Sequence, residues 1–346
     1  MLWAGFLMVF LYFCTMNQDE RYMQRCIQLA RNGQQNAAPN PMVGAVIVAR
    51  GRIIGEGYHV RCGEGHAEVN AFASVRPADE PLLKEATIYV SLEPCSHYGK
   101  TPPCADLIVR KGVRRVVVGT EDPFAEVQGR GIERLRQAGI EVTVGVLREE
   151  CEELNKVFFT FHRKKRPFIT LKWAESKDGF IAGIGEDGKP RTTQISNALT
   201  RMHSHKLRAE HQAILIGRNT LDTDRPSLTT RYWTGRNPVP IVLSHEGLRV
   251  KGEGLKVKGE LMDVMHELHA RGIQSVLVEG GANVLQQFID QNLWDEAYIE
   301  QGEMVIGEGV KAPQLDTKNY PLLGVWGIKE QKKHIKNIKS LPYTSL

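Results

Sequence analysis

Short apolar runs of strand length alternate with segments of helical period, and they do so in two separate series along the chain. Such alternation can bury its apolar faces only as a sheet sandwiched by helices, so the fold class is α/β. In the first series Tyr22, Met23, Cys26, Ile27 and Ala30 recur at helical spacing between Asp19 and Asn32, and Gly33 supplies a stop. "MVGAVIVARGRIIGEGYH" predicts two strands joined at Arg50-Gly51 as a hairpin. A helix from His66, a buried strand "ATIYVSLE", a helix "CADLIVRKG" closing on Gly112, then "RRVVVGTEDP", "GIERLRQAGI" and "EVTVGVL" as strand, helix and strand complete it. The second series opens at "PFITLKWAES" and runs through helix "NALTRMHSHKLRAEH", strands "AILIG" and "PVPIVLS", helix "LMDVMHELHARG", strand "SVLVEGG" and helix "NVLQQFIDQNL". Between the two, "REECEELNKVFFTFHRKKR" reads as one charged helix ending at Pro167, with the basic run Arg163 to Arg166 as a solvated linker. The expected division is a domain at 16–147, a linker helix at 148–166 and a second domain at 167–346.

A chain of 346 residues suits two domains better than one, and no internal repeat or low-complexity tract interrupts it. A net charge of +5 favours an anionic small-molecule ligand and falls short of the clustered basicity of a nucleic-acid binder. Six unevenly spaced cysteines in so long a chain are no disulfide framework; free or metal-bound thiols in a reducing cytoplasm are expected. The opening "MLWAGFLMVFLYFC" is apolar but shorter than the roughly 18 residues of a spanning helix. It has no basic flank and no small-residue cleavage site, and Met16 follows at once. Residues 1–15 are therefore expected to be an over-long start rather than a membrane anchor, outside the fold.

Chemistry concentrates in "HAEVNAF" and "EPCSHYGKTPPC". A zinc ion that activates water needs three protein ligands and one open position, and His66, Cys95 and Cys104 offer an imidazole and two thiolates. Water in the open position would have its pKa lowered toward about 7. A carboxylate near the metal but not bound to it can carry the proton to a departing amine, and Glu68 is spaced for that role. His97 could ligate on spacing alone, but a fourth ligand would close the site, so it is assigned to the pocket lining. Cys26, Cys62 and Cys151 are expected to be small buried hydrophobes.

Residues 66, 68, 94 and 95 match the arrangement of zinc nucleobase deaminases, except that eight residues rather than two separate Cys95 from Cys104. With "PNPMVGAVIV" upstream, the segment from Gln18 to Leu147 resembles the deaminase half of the bifunctional riboflavin biosynthesis deaminase/reductases, for which the longer loop is typical. The resemblance implies a cytidine-deaminase-like α/β/α sandwich, and it implies that Asn40, His59, Lys100 and Thr101 hold the pyrimidine or the ribose phosphate. Asn40 sits in a Pro-Asn-Pro turn that can present its amide to a pyrimidine edge, and Lys100 can neutralise a phosphate. The family's "DPNP" turn is here Asp122, Pro123, Phe124, Ala125, so no role is assigned to Asp122.

"VEGGANVLQQFI" puts a glycine pair between a strand and a helix, where backbone N–H groups can approach a phosphate. With "PFITLKWAESKDGFIA" and "LRAEHQAILIGRNTLDTDRPSLTTR" it resembles the reductase half of the same family, a dihydrofolate-reductase-like fold that uses NADPH. Carried over by position, the resemblance implies cofactor contacts at Ala174, Gln194, Thr220, Asp224, Ser244 and the turn Gly281, Ala282, Asn283, Val284, Leu285, Gln286 and Gln287. It implies substrate contacts at Thr192, Arg208, Leu228, Arg231 and Glu279. Arg208 and Arg231 are cationic forks suited to a phosphoribosyl group, and Asp224 could orient the ring during hydride transfer. Gln194 replaces the family's usual Trp, and "HEGLRVKGEGLKVKGE" after Ser244 is shorter than the family's segment.

The expected activity is zinc-dependent deamination of 2,5-diamino-6-(5-phosphoribosylamino)pyrimidin-4(3H)-one followed by NADPH-dependent reduction of the ribosyl chain. The expected partner is that phosphorylated pyrimidine, with no nucleic acid and no membrane, in a cytoplasmic homo-oligomer, dimer or tetramer. Two alternatives stand beside it: a deaminase with a degenerate reductase domain, and a nucleic-acid deaminase, which would want an aromatic or basic channel that the sequence does not offer.

Overall fold

The computed structural model describes residues 16–98, 102–124, 128–244, 247–250, 256–257, 260–316, 318, 322–326 and 332–337, with backbone alone at 247–250, 256–257, 322–326 and 332. The apolar opening, Lys100, Thr101 and most of the link after Ser244 lie outside the described residues. The chain divides after Arg163 into two compact units.

In the first unit, α1 (Gln18–Ala30) starts at a capping box between Asn17 and Glu20 and buries Met23, Cys26, Ile27 and Ala30. Strands β1 (Gly44–Ala49) and β2 (Arg52–Tyr58) form the expected hairpin. After them come α2 (Ala67–Ala73), β3 (Thr87–Leu92), α3 (Cys104–Lys111), β4 (Arg115–Thr120), α4 (Arg130–Gln137) and β5 (Glu141–Val144). The sheet order is β2-β1-β3-β4-β5, antiparallel across β2, β1 and β3 and parallel from β3 to β5. Every residue of β1 is buried because both faces of the sheet are covered. Val46, Val48, Tyr89 and Val117 pack with Met23, Cys26 and Ile27 on one face, while Ala45, Ile47, Ile88, Val90, Val116 and Val118 pack with Ala71, Phe72, Ile108 and Leu135 on the other.

The stretch read as one charged linker helix is two helices, α5 (Arg148–Leu154) and α6 (Lys156–Lys164). Asn155 breaks it: buried between them, its amide accepts from Met42 N–H and donates to Met42 C=O, each at 2.8 Å. Cys151 of α5 is buried in the first unit's core, as is Cys26, whereas Cys62, expected to be buried, is exposed in the turn beyond β2.

The second unit is built on β6 (Phe168–Glu175), β7 (Phe180–Ile184), β8 (Pro190–Arg191), α7 (Ala198–Glu210), β9 (Ala213–Gly217), α8 (Arg218–Asp224) and β10 (Val239–Ser244). It continues with β11 (Gly247–Val250), β12 (Lys256–Val257), α9 (Leu261–Ala270), β13 (Ser275–Val278), α10 (Ala282–Asp290), β14 (Glu296–Gln301), β15 (Gly309–Lys311), β16 (Leu322–Trp326) and β17 (Lys332–Lys336). One sheet has the order β12-β11-β10-β9-β13-β6-β14-β17-β16; its middle five strands, β10 to β14, are parallel. β15, β7 and β8 form a small separate sheet. The link after Ser244, read as a plain connection, supplies β11 and β12, which extend the large sheet antiparallel to β10. Ile169, Leu171 and Trp173 of β6 face a core with Val264, Leu268, Phe288 and Trp294, and the opposite face is covered by Leu207 of α7 with Ile214, Ile216 and Leu277.

Arg166, read as solvated, is buried and holds Asp295 through two guanidinium contacts of 2.7 and 2.9 Å. Lys164 and the Ile169 N–H also bind that carboxylate. Burial alone would raise the Asp295 pKa, but the Arg166 hydrogen bonds and the Arg166 and Lys164 charges outweigh it and hold it below the usual value. A depressed carboxylate stabilises the fold fully above the unfolded pKa of about 4, and that contribution fades as pH falls through the lower folded value. Asp295→Ala should therefore destabilise the second unit by about 3–5 kcal/mol near neutrality, since it leaves Arg166 buried without its partner. In denaturant titrations followed from pH 7 downward, variant and wild type should converge toward acid.

Candidate active site

His66 is the N-cap residue of α2, Cys95 follows β3 after Glu93-Pro94, and Cys104 is the first residue of α3. Three elements thus deliver one ligand each to the end of the sheet. His66 Nδ1 lies 3.5 Å from Cys95 Sγ and 3.4 Å from Cys104 Sγ, and the three ligand atoms all fall within 4.8 Å of one another. Tetrahedral Zn–N and Zn–S bonds put such atoms about 3.5 Å apart, so spacing and donor set both fit zinc. The loop is held at both ends, because Cys104 N–H donates to Cys95 Sγ and Ala105 N–H to Cys95 C=O. His97 is exposed and stands outside the ligand group.

Glu68, the second residue of α2, is buried with its carboxyl against the Cys104 thiol. Burial first, and then the negative charge of Cys95, pushes it up to about 7. The hydrogen bond from Cys104, with help from His66, lowers Cys95 to about 4; the same contact and burial raise Cys104, and the bond to Cys95 raises His66 to about 8. A divalent cation among the three ligand atoms would draw both thiols to thiolates and favour an ionised Glu68.

On the substrate side the structure joins two of the expected residues. Asn40 Nδ2 lies 3.1 Å from His59 Nε2, and His59 Nδ1 lies 3.1 Å from Gly65 C=O. Burial lowers the His59 pKa, which favours the neutral ring with its proton on Nδ1, donating to Gly65. Nε2 then accepts from Asn40 Nδ2. Glu93 was missed by sequence reasoning; nothing in "LEPC" marks it apart from its neighbours, and only tertiary structure shows its four backbone partners.

In the second unit the expected residues gather at the carboxyl ends of the parallel strands: Ala174 on β6, Ser244 ending β10, Thr220 just beyond β9, and Glu279 to Gly281 beyond β13. This is where open α/β sheets bind ligands. Helix α10 has no side-chain cap, so its first-turn N–H groups can take an anion, and Gly281 N–H donates to Thr220 Oγ1 at 2.9 Å. The two glycines differ in kind. A Cβ on Gly280 would meet the Ile216 Cα and Gly217 N at 2.5 Å, whereas one on Gly281 would meet only the Thr220 hydroxyl at 3.0 Å. Leu285 is buried in the core and Gln286 is turned to Asp290 and Gln314, so neither side chain faces the strand ends.

Thr192 donates to Asp224 at 2.5 Å, joining an expected substrate contact to an expected cofactor contact, and Gln194 is exposed and bonded to Ser196 C=O. Arg208 is not a free fork. It binds Glu279 through Nε and Nη2 at 2.9 and 2.6 Å and Thr229 C=O through Nη1. Both side chains of that pair are largely buried, and Lys172 adds its charge near Glu279. Lys172 was also missed, although a lysine amid the buried run "FITLKWA" is the kind of exception that signals a site. Arg231 is exposed over the Tyr232 ring, while the Leu228 side chain is buried among Leu207 and Ile214.

Residues 16–120 match the cytidine and deoxycytidylate deaminase zinc-binding region, and residues 167–338 match the RibD C-terminal domain. With three side chains placed to hold a metal in one unit and a doubly wound sheet in the other, this defines a zinc deaminase joined to a reductase. The chain is 38% identical over 352 residues to the riboflavin biosynthesis protein RibD of Aquifex aeolicus, covering 92% of this chain and 96% of that one. To RibD of Bacillus amyloliquefaciens it is 39% identical, covering 86% and 87%. A solved deaminase/reductase of this kind from Thermotoga maritima, a diaminohydroxyphosphoribosylaminopyrimidine deaminase/5-amino-6-(5-phosphoribosylamino)uracil reductase, superposes with a TM-score of 0.78 at 34% identity, covering 92% and 98%. The chain belongs to the RibD family of bifunctional deaminase/reductases of riboflavin biosynthesis, with zinc and NADPH as cofactors.

Protein purified without added metal should carry one zinc per chain by elemental analysis. Cys95→Ser combined with Cys104→Ser should remove it, and zinc retained in the double variant would mean that the ligands lie elsewhere.

Proposed function

We propose that the first unit hydrolyses the 2-amino group of 2,5-diamino-6-(5-phosphoribosylamino)pyrimidin-4(3H)-one. The second unit would then reduce the ribosyl chain of the product to the ribityl chain of 5-amino-6-(5-phosphoribitylamino)uracil. The observation that carries this is Glu68, buried beside three converging ligand atoms without being one of them. His66, Cys95 and Cys104 hold the zinc, which when bound supplies the Lewis acidity that makes water a nucleophile near neutral pH. Glu68 takes a proton from the attacking water and hands it to the departing nitrogen; a C–O bond forms, the C–N bond breaks and ammonia leaves. Asn40, oriented by His59, reads the pyrimidine edge, and Lys100 and Thr101 hold the phosphoribosyl end.

In the reductase the uncapped start of α10, with Gly281 and Thr220, receives the phosphates of NADPH, and Ala174, Gln194, Asp224 and Ser244 line the rest of its path. NADPH supplies the hydride when bound. Arg231 carries the substrate phosphate, with Thr192 and the Leu228 backbone beside it. The Arg208–Glu279 pair, already formed, orients the ribosyl chain.

The deaminase domain is assigned to 16–147 and the reductase domain to 167–346, with the intervening helices packed on the first unit. Among the described residues no helix is long and apolar enough to cross a membrane. Free thiols at Cys26, Cys62, Cys95, Cys104 and Cys151 suit a reducing cytoplasm. Exposed Leu199, Met202, Tyr232 and Trp233 favour a homo-oligomer, dimer or tetramer, and light scattering that finds only monomer would remove that assignment.

Glu68→Gln should keep zinc and substrate binding while losing about 10²- to 10⁴-fold in deamination rate, with reduction of pre-deaminated substrate unchanged. Deamination at the wild-type rate would mean the motif has been misread. Gly281→Val should raise the NADPH dissociation constant strongly and leave deamination intact, because the side chain pushes into Thr220 and the phosphate seat. Arg231→Ala is the cleaner probe of the substrate phosphate, since truncating Arg208 would strand the largely buried Glu279. The deciding measurement is NADPH or NADH oxidation driven by the deaminated intermediate. If neither is consumed, the deaminase-only alternative replaces the bifunctional reading.

A further inference from the structure

Glu93 is buried between the end of β3 and the metal-ligand turn, and its carboxylate gathers four backbone N–H groups. Oε2 accepts from Asp122 at 3.2 Å and Gly129 at 2.9 Å; Oε1 accepts from Gly131 at 2.9 Å and Ile132 at 3.3 Å. The donors are Asp122 after β4 and Gly129, Gly131 and Ile132 at the start of α4, so one side chain two residues before Cys95 holds both places. The approach is close. A Cβ on Gly131 would meet Pro94 C=O at 2.0 Å, so α4 begins directly against the peptide that precedes the ligand.

The tethered segment starts beside the ligand turn, because Asp122 N–H is bonded to Glu93, two residues before Cys95. Asp122 is buried, and its Oδ1 accepts from Phe124 N–H at 2.8 Å. The Phe124 ring packs against His162 at 5.2 Å between centroids, which fastens the segment to α6. One end is therefore held by Glu93 and the other by an aromatic contact, beside the loop that carries Cys95.

We propose that Glu93 is a positioning residue for deamination. It touches neither metal nor substrate. It sets the Asp122–Phe124 segment and the start of α4 as the wall of the substrate cavity next to the metal ligands. The chemistry demands a carboxylate, because only a group with two acceptor oxygens can take two N–H donors on each. An amide of the same shape would turn its NH2 toward one of the two donor pairs and release it.

The inference rests on the deaminase assignment, so wild-type turnover of the diaminopyrimidine phosphate is measured first; its absence would sink that assignment separately. Glu93→Gln should raise KM for that substrate about tenfold or more with kcat within about threefold, the pattern of a displaced binding wall. Zinc should stay at one per chain, and NADPH-dependent reduction in the same sample should be unchanged. Glu93→Asp, which keeps two acceptor oxygens, should recover part of the lost KM. Gly131→Ala, which forces α4 off Pro94 with Glu93 intact, should raise KM in the same sense. Wild-type KM in both Glu93→Gln and Gly131→Ala overturns the proposal. So does loss of zinc in step with activity, or a fall in kcat at constant KM, because Glu93 would then serve the ligands rather than the substrate wall.

Discussion

Parallel strand pairing is the constraint on which both sites depend. Strands that run the same way present their carboxyl ends at one edge, and the loops that leave them must meet there. In the first unit β3 and β4 are such a pair, and they deliver Glu93, Cys95 and Asp122 side by side. In the second, β10, β9, β13 and β6 bring Ser244, Thr220, Gly281 and Ala174 to one edge although Ala174 and Gly281 stand 107 positions apart in the chain. The ligand His66 comes from outside this rule, on the N-terminus of a helix that packs over β1 and β2.

Buried charge does a second kind of organising. Asp295 anchors the start of β6 through Arg166 and the Ile169 N–H, Glu279 anchors α7 through Arg208, and Glu93 anchors α4 through backbone alone. A buried carboxylate is costly unless its oxygens are filled, so each one dictates where several donors must sit. Two of the three lie within reach of a proposed site. Fixing loop geometry beside chemistry is a use to which such groups are suited, since an apolar contact would not specify direction.

The departures from the sequence expectations share a cause. "REECEELNKVFFTFHRKKR" has uninterrupted helical character, and it breaks because Asn155 finds a distant partner in Met42. Arg166 looks solvated because three basic neighbours precede it, and it is buried because Asp295 sits immediately before β14, the strand beside β6. Arg208 looked like a free fork for a phosphate, and it is occupied because Glu279 follows the strand beside it. In each case the deciding partner lies far along the chain, where the local pattern carries no sign of it.

The sequence by itself determined the two α/β series, the hairpin at Arg50-Gly51 and the set His66, Cys95 and Cys104 that converges in space with Glu68 beside it, because periodicity and ligand chemistry are written in residue type and spacing. It also carried the glycine pair before α10, of which Gly280 has no room for a side chain against the backbone of Ile216 and Gly217. Only the tertiary structure decided strand order, the hydrogen-bonded state of Asn40 and His59, the pairing of Arg208 with Glu279, and the reach of Glu93 across to α4. Those features are contacts between segments that the local pattern leaves independent, and their geometry exists only once both cores have closed.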